Sequence, residues 1–269
     1  MLRNTKAFEG ARIRAIDGEI GHVQEFYFDD RNWQINYVVM NIGSWLHGKL
    51  VLLSPEAITA IDDDDEPVIQ AALTKEEVRR SLDAQTHRPI SLQQPHDYYL
   101  YLGLPHYLNV AEHLDPGSPF HRHSHFEKGK AAETVSDPDF DAHLRSSKIV
   151  GKYHIIAVDG EIGHLDGFIV DDKTWTIRYA IADTRNWWPG KKVLLAADWI
   201  YWISWAESNA YAGFRRERIR NAPEFNPERP LTRDFEVELH AYYKRTPYWE
   251  SALSQKPEII LGSGQYRER

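Results

Sequence analysis

Apolar and polar residues alternate with a period of two from Ala11 to Ile16, the pattern of a half-buried strand. Asp17-Gly18 follows as a hairpin turn, because glycine tolerates the positive φ that a tight turn demands. Glu19 to Phe28 continues as a second strand, in which Gly21 marks a bulge or a close backbone approach. The polar run Asp29-Asp30-Arg31-Asn32 turns the chain again. Gln34 to Ile42 is rich in β-branched and aromatic residues, His47-Gly48 is turn-like, and Lys49 to Leu53 is a short strand broken by Pro55. Ile58 to Ile61 and Val68 to Leu73 complete a meander of about six strands. Short strands in so tight a meander close or nearly close, which protects their edges. Thr74-Lys75-Glu76-Glu77 then fits a capping box and begins a helical tail.

The pattern occurs twice. Asp17-Gly18-Glu19-Ile20-Gly21-His22 returns as Asp159-Gly160-Glu161-Ile162-Gly163-His164, an offset of 142. Held without a gap from Ile13 to Ile61, that offset gives 22 identities in 49 positions. Phe26/Phe168, Asp29-Asp30/Asp171-Asp172, Trp33/Trp175, Tyr37/Tyr179, Trp45/Trp187 and Gly48-Lys49/Gly190-Lys191 are among them. Weaker matches run on through Arg88-Pro89/Arg229-Pro230 and Tyr98-Tyr99/Tyr242-Tyr243. In the second tail Thr232 can cap a helix reaching about Lys244, with Phe235, Leu239 and Tyr242 on one face. The expected fold is mainly β: two tandem small antiparallel β-barrels of about six strands each, with short helical tails. The expected domains are 1–108, a polar linker at 109–147 rich in turn-forming Asp-Pro and Pro-Gly pairs, 148–253, and a loose tail at 254–269. A barrel of this size is marginal alone, so the copies are expected to pack as an internal pseudo-dimer with near two-fold symmetry.

Charge and composition narrow the chemistry. The net charge of -8 is uneven, since residues 1–140 hold 13 Lys+Arg against 22 Asp+Glu. The acidic first half argues against direct nucleic-acid binding. The absence of Cys excludes disulfides, thiolate nucleophiles and Cys-ligated metal. No stretch approaches a membrane span and no apolar leader follows the N-terminus, so a cytoplasmic protein is expected.

The Asp-Gly-Glu-Ile-Gly-His motif, the Asp-Asp turn followed by Trp33 or Trp175, and Asn186-Trp187-Trp188-Pro189-Gly190-Lys191-Lys192-Val193-Leu194 together resemble the PRC-barrel family. That family is named for the cytoplasmic barrel of the photosynthetic reaction centre H subunit. The resemblance covers about residues 6–73 and 148–213, and it implies a small barrel that works by binding partners. It points to a non-catalytic scaffold or regulatory module on another protein, in the setting of a membrane electron-transfer complex. A ribosome- or RNA-processing-associated factor, by analogy with another family branch, and an enzyme with an unrecognised site are the alternatives. Unlike the reaction centre subunit, this chain lacks an N-terminal transmembrane helix.

Candidate sites follow from residue type and spacing. His121, His123 and His125, with His113 nearby, alternate as metal ligands can, but no further ligand is spaced to complete a shell. Asp62 to Glu66 lacks the ligand spacing of a calcium loop. Repeated His22 and His164 are read as structural, as are the Asp29-Asp30 and Asp171-Asp172 turns. The sequence therefore assigns no catalytic residue, no metal and no cofactor. The tryptophans divide between core and partner surface, and Trp45, Trp187 and Trp188 are the candidates for the surface.

Overall fold

A computed structural model describes residues 1–42, 49–62, 67–80, 143–184 and 190–250. The chain divides into two units, Met1–Pro230 and Leu231–Arg269. The first holds two seven-stranded sheets, one per repeat.

In the first sheet β2 (Arg12–Ala15), β3 (Gly18–Asp29), β4 (Ile35–Asn41), β5 (Leu50–Leu53), β6 (Ile58–Asp62) and β7 (Val68–Ala71) match the six strands read from hydropathy. The second sheet repeats them as β9 (His154–Ala157), β10 (Gly160–Asp171), β11 (Thr176–Asp183), β12 (Lys192–Ala196), β13 (Ile200–Ser204) and β14 (Asn209–Ala212). Their orders are β5-β4-β3-β2-β7-β6 and β12-β11-β10-β9-β14-β13. Among the described residues the end strands β5 and β6, and likewise β12 and β13, do not pair. The order found is therefore an open path of strands.

Two expectations change. The sheets are not wholly antiparallel: β7 runs parallel to β2, and β14 to β9. The 3₁₀ turn at Pro55–Ala57 carries the chain from β5 to β6 without a hairpin reversal, which offsets the strand directions by one. The seventh strand of each sheet comes from outside the meander. It is β1 (Leu2–Asn4), paired with β10, and β8 (Leu144–Ser146), paired with β3. Residues 143–147, assigned to the linker above, thus contribute a fully buried strand.

Close packing explains the glycines of the motif. A Cβ on Gly21 would lie 2.1 Å from the Asn41 carbonyl oxygen, and one on Gly163 would lie 2.1 Å from that of Asp183. Both sit beside register shifts, where the strand pair bulges. Helix α1 (Lys75–Arg80) follows the last strand of the first copy, α2 (Ser147–Val150) lies between β8 and β9, and α3 (Arg216–Arg220) follows the last strand of the second copy. At α1 the capping box is complete, with Thr74 N donating to Glu77 Oε2 at 2.8 Å and Glu77 N to Thr74 Oγ1 at 3.3 Å. No helix among the described residues is long and apolar enough to cross a membrane.

In the second unit α4 (Arg233–Tyr243) is capped by Thr232 and ends at Lys244 in the left-handed region. Its buried face is Glu236, Leu239, His240 and Tyr243 rather than Phe235, Leu239 and Tyr242. Hydropathy hid the true stripe because it contains a glutamate, which Arg233 pairs at 3.0 Å and Tyr248 Oη reaches at 3.2 Å.

Candidate functional site

The residues that recur between the copies converge on a seam within the first unit. Its centre is an antiparallel bridge between Gln34 and Thr176, positions equivalent under the repeat. Ile35 N donates to the Trp175 carbonyl and Ile177 N to the Trp33 carbonyl, each at 2.8 Å. One contact is the other moved by one repeat. Trp33 and Trp175 reach this geometry at positive φ, 60° and 53°, which is costly for a bulky residue. Hydrogen bonds from Trp33 N to the Asp29 carbonyl (2.8 Å) and from Trp175 N to that of Asp171 (2.7 Å) hold the turns. The indoles are buried against the opposite copy, Trp33 at 6.3 Å from the Phe168 ring and Trp175 at 6.2 Å from that of Phe26.

The exchanged strands lock the seam from outside. Tyr27, Val39, Leu52 and Leu144 form one apolar cluster, so β8 completes the face of the first sheet. Beside it Arg145 pairs with Asp30 at 2.5 Å, with both side chains almost fully buried. Its counterpart is Arg3 with Asp172, also at 2.5 Å. Thr5 Oγ1 accepts from Phe168 N, as Ser147 Oγ accepts from Phe26 N. Where the copies differ, a carboxylate is supplied from different positions. Asp166 takes hydrogen bonds from Lys6 and Lys192 at 2.5 and 2.6 Å, whereas Glu25 accepts from the Ser146 hydroxyl and lies near Lys148. Burial pushes the Glu25 carboxyl above its ordinary range. Burial acts the same way on Asp166, but hydrogen bonds from Lys192 and Lys6 outweigh it and hold that carboxyl below the range.

The repeated aspartates and the repeated lysine also serve the frame. Asp17 accepts from Lys75 N at the start of α1 and Asp159 from Arg216 N at the start of α3, both at 2.8 Å. Lys49 and Lys191 donate to the Arg79 and Ala222 carbonyls. Asp29 and Asp171 accept from the amides of Arg31 and Lys173, which is the turn chemistry expected of them. Asp30 and Asp172 do more, since they bind the arginine of the exchanged strand. The sequence reading missed Arg3 and Arg145. Their signal was there, because Leu2-Arg3 recurs as Leu144-Arg145 at the same offset of 142, upstream of the compared window.

His22 and His164 lie half-buried on β3 and β10, opposite Arg12 and His154. Glu161 pairs with His154 at 2.9 Å, so the repeat does not bring His164 and Glu161 together as a dyad. Trp199 and Trp205 are buried and Trp202 is half-buried. Trp45, Trp187, Trp188, His113, His121, His123, His125 and Asp63 to Glu66 lie outside the described residues. The topology puts Trp45 between β4 and β5, and Trp187 and Trp188 between β11 and β12.

An open groove of about 980 Å³ adjoins the seam. Its lining includes Ile35–Tyr37 of β4, Pro55, Ile58–Ile61 of β6 and, from the other copy, Asp172–Trp175. The chain matches no protein-family model and no curated protein.

Proposed function

We propose that this chain is a non-catalytic scaffold or regulatory module of the PRC-barrel kind, two barrels joined as an internal pseudo-dimer, that binds another protein. The setting the resemblance implies is a membrane electron-transfer complex. One observation carries the reading: the repeated aspartates and the repeated lysine are committed to turns, helix starts, helix ends and the seam. Residues held in both copies thus build the frame. Function then belongs to the positions where the copies diverge, such as Gly43-Ser44 against Arg185-Asn186 and His47 against Pro189 in the β4–β5 and β11–β12 connections. Tryptophan in such connections suits a binding surface.

The test is capture of native-cell proteins on the immobilised full chain and on variants carrying Trp45→Ala or Trp187→Ala with Trp188→Ala. The variants must first match the parent in unfolding midpoint. Loss of a specific, stoichiometric partner supports the reading. Turnover of a substrate abolished by His22→Ala or His164→Ala, with no partner lost, reverses it.

A further inference from the structure

Two short segments cross between the copies, and both are recognised in the same way. Leu2-Arg3-Asn4-Thr5 and Leu144-Arg145-Ser146-Ser147 lie 142 residues apart, and Leu-Arg occurs nowhere else in the chain. β1 runs antiparallel to Ile169–Asp171 and β8 to Tyr27–Asp29, with each pair in one ladder matching a pair in the other at that offset. Leu144 packs with Tyr27, Val39 and Leu52, and their equivalents Ile169, Ile181 and Leu194 are also buried. The arginine meets the second aspartate of the turn, Asp172 or Asp30, at 2.5 Å in both cases. The third side chain caps the short helix that follows: Asn4 Oδ1 accepts from Lys6 N at 3.0 Å, and Ser146 Oγ from Ile149 N at 3.2 Å. The fourth hydroxyl accepts from the edge itself, Thr5 from Phe168 N at 3.2 Å and Ser147 from Phe26 N at 3.0 Å. Asp172 N and Asp30 N donate to the carbonyl that precedes the leucine, at 3.0 and 3.1 Å. The two edges therefore read one pattern, Leu-Arg-Asn/Ser-Ser/Thr. Each segment completes the sheet of the copy to which it does not belong by sequence, so none of these contacts requires both sides to come from one molecule.

We propose that the β3 and β10 edges are recognition sites for an extended Leu-Arg-Asn/Ser-Ser/Thr segment, and that a second copy of this chain supplies it by reciprocal exchange. In the exchanged dimer the first half of each molecule closes on the second half of the other. Every contact described above is kept, which makes the exchange cheap. Main-chain pairing supplies much of the affinity. The arginine supplies the selectivity, because Asp172 and Asp30, 10% and 12% exposed, accept a guanidinium and repel a carboxylate. The proposal is independent of the reading above, since it uses strand edges and not the β4–β5 and β11–β12 connections.

A full chain carrying Leu2→Ala with Arg3→Ala weakens β1 and leaves the β10 edge to be filled from outside. The probe is an amidated peptide with the sequence of residues 143–149 and an N-terminal fluorophore, so it comes from the other site. It should bind this variant with a dissociation constant on the order of 100 µM and shift the amide resonances of Phe168, Ile169 and Asp172. The unaltered chain, whose own β1 holds the edge, should bind it about tenfold more weakly or worse. The same peptide carrying Arg145→Glu should also lose about tenfold or more. Arg3→Ala alone is the second variant should the first misfold. A second arm supplies the segment from another molecule. A chain carrying Asp172→Asn keeps its β1 segment but has a defective edge. Unfolded in urea and refolded together, this chain and the β1 variant should form a heterodimer by size exclusion with light scattering, because one of its two closures is then fully native. Either variant refolded alone at the same total concentration should give much less dimer. No saturable peptide binding, equal binding of the Arg145→Glu peptide, or peptide binding without a heterodimer would overturn the proposal.

Discussion

Removing Asp30 tests whether the exchanged strand is held by charge as well as by packing. Its carboxylate meets Arg145 at 2.5 Å, with side chains 12% and 7% exposed, and His143 Nδ1 lies 3.0 Å away. At an effective dielectric of about 20 the screened attraction at this distance is about 7 kcal/mol, most of it offset by the cost of taking both charges out of water. The pair is therefore worth little net, while breaking it is expensive. Asp30→Asn or Arg145→Met alone should each cost about 3 kcal/mol, because a buried charge is left uncompensated. The double variant should cost less than the two singles together, with a coupling of about 2–3 kcal/mol. The equivalent Arg3→Met should cost only about 1–2 kcal/mol, since Arg3 is 17% exposed and Asp172 also accepts from the N-terminal amine. Urea unfolding followed by tryptophan fluorescence measures each value. Additive singles, or a loss at Arg3 as large as that at Arg145, would show that backbone pairing and Leu144 hold β8 and the ion pair does not.

Four further outcomes rest on the same contacts. Gly163→Ala and Gly21→Ala each force a methyl against a carbonyl oxygen 2.1 Å away and should lose about 3 kcal/mol; Gly213→Ala, which meets nothing within 4 Å, should stay within about 0.5 kcal/mol by the same unfolding assay. The Asp166 carboxyl is held below its ordinary range, so its stabilisation is full above the unfolded-state pKa and is lost as pH falls through the folded one; Asp166→Asn should cost up to about 1 kcal/mol near neutral pH and flatten the acid limb of stability against pH. Glu25 has the opposite sign, since a raised folded pKa gives stability below the unfolded value that is lost as pH rises through the folded one; Glu25→Gln should stabilise at neutral pH and have no such effect below the carboxylate range. A protease site placed within 109–142 and cut should leave two pieces that co-elute at micromolar concentration, because each carries the strand that completes the other's sheet; pieces that separate without denaturant would contradict the exchange.

The sequence by itself determined the local frame. Six strands per copy, the turns at Asp17-Gly18 and Asp29-Asp30, the special role of Gly21 and the capping box at Thr74 were legible because each depends on residues near one another in the chain. Duplication was legible because the offset of 142 survives without a gap. Tertiary structure alone decided the rest. A three-residue strand such as Leu144–Ser146 carries too little periodicity to be read, and its partner Tyr27–Asp29 lies more than a hundred residues away. The parallel pairing of β2 with β7 depends on how one 3₁₀ turn directs the chain, which no hydropathy pattern records. Asp30 looked like an ordinary turn residue because its second role, binding Arg145, exists only once the other copy has delivered that arginine. The groove is likewise unreadable from sequence, since its lining comes from β4, β6 and the Asp172–Trp175 turn, which lie far apart in the chain and meet only in the folded unit.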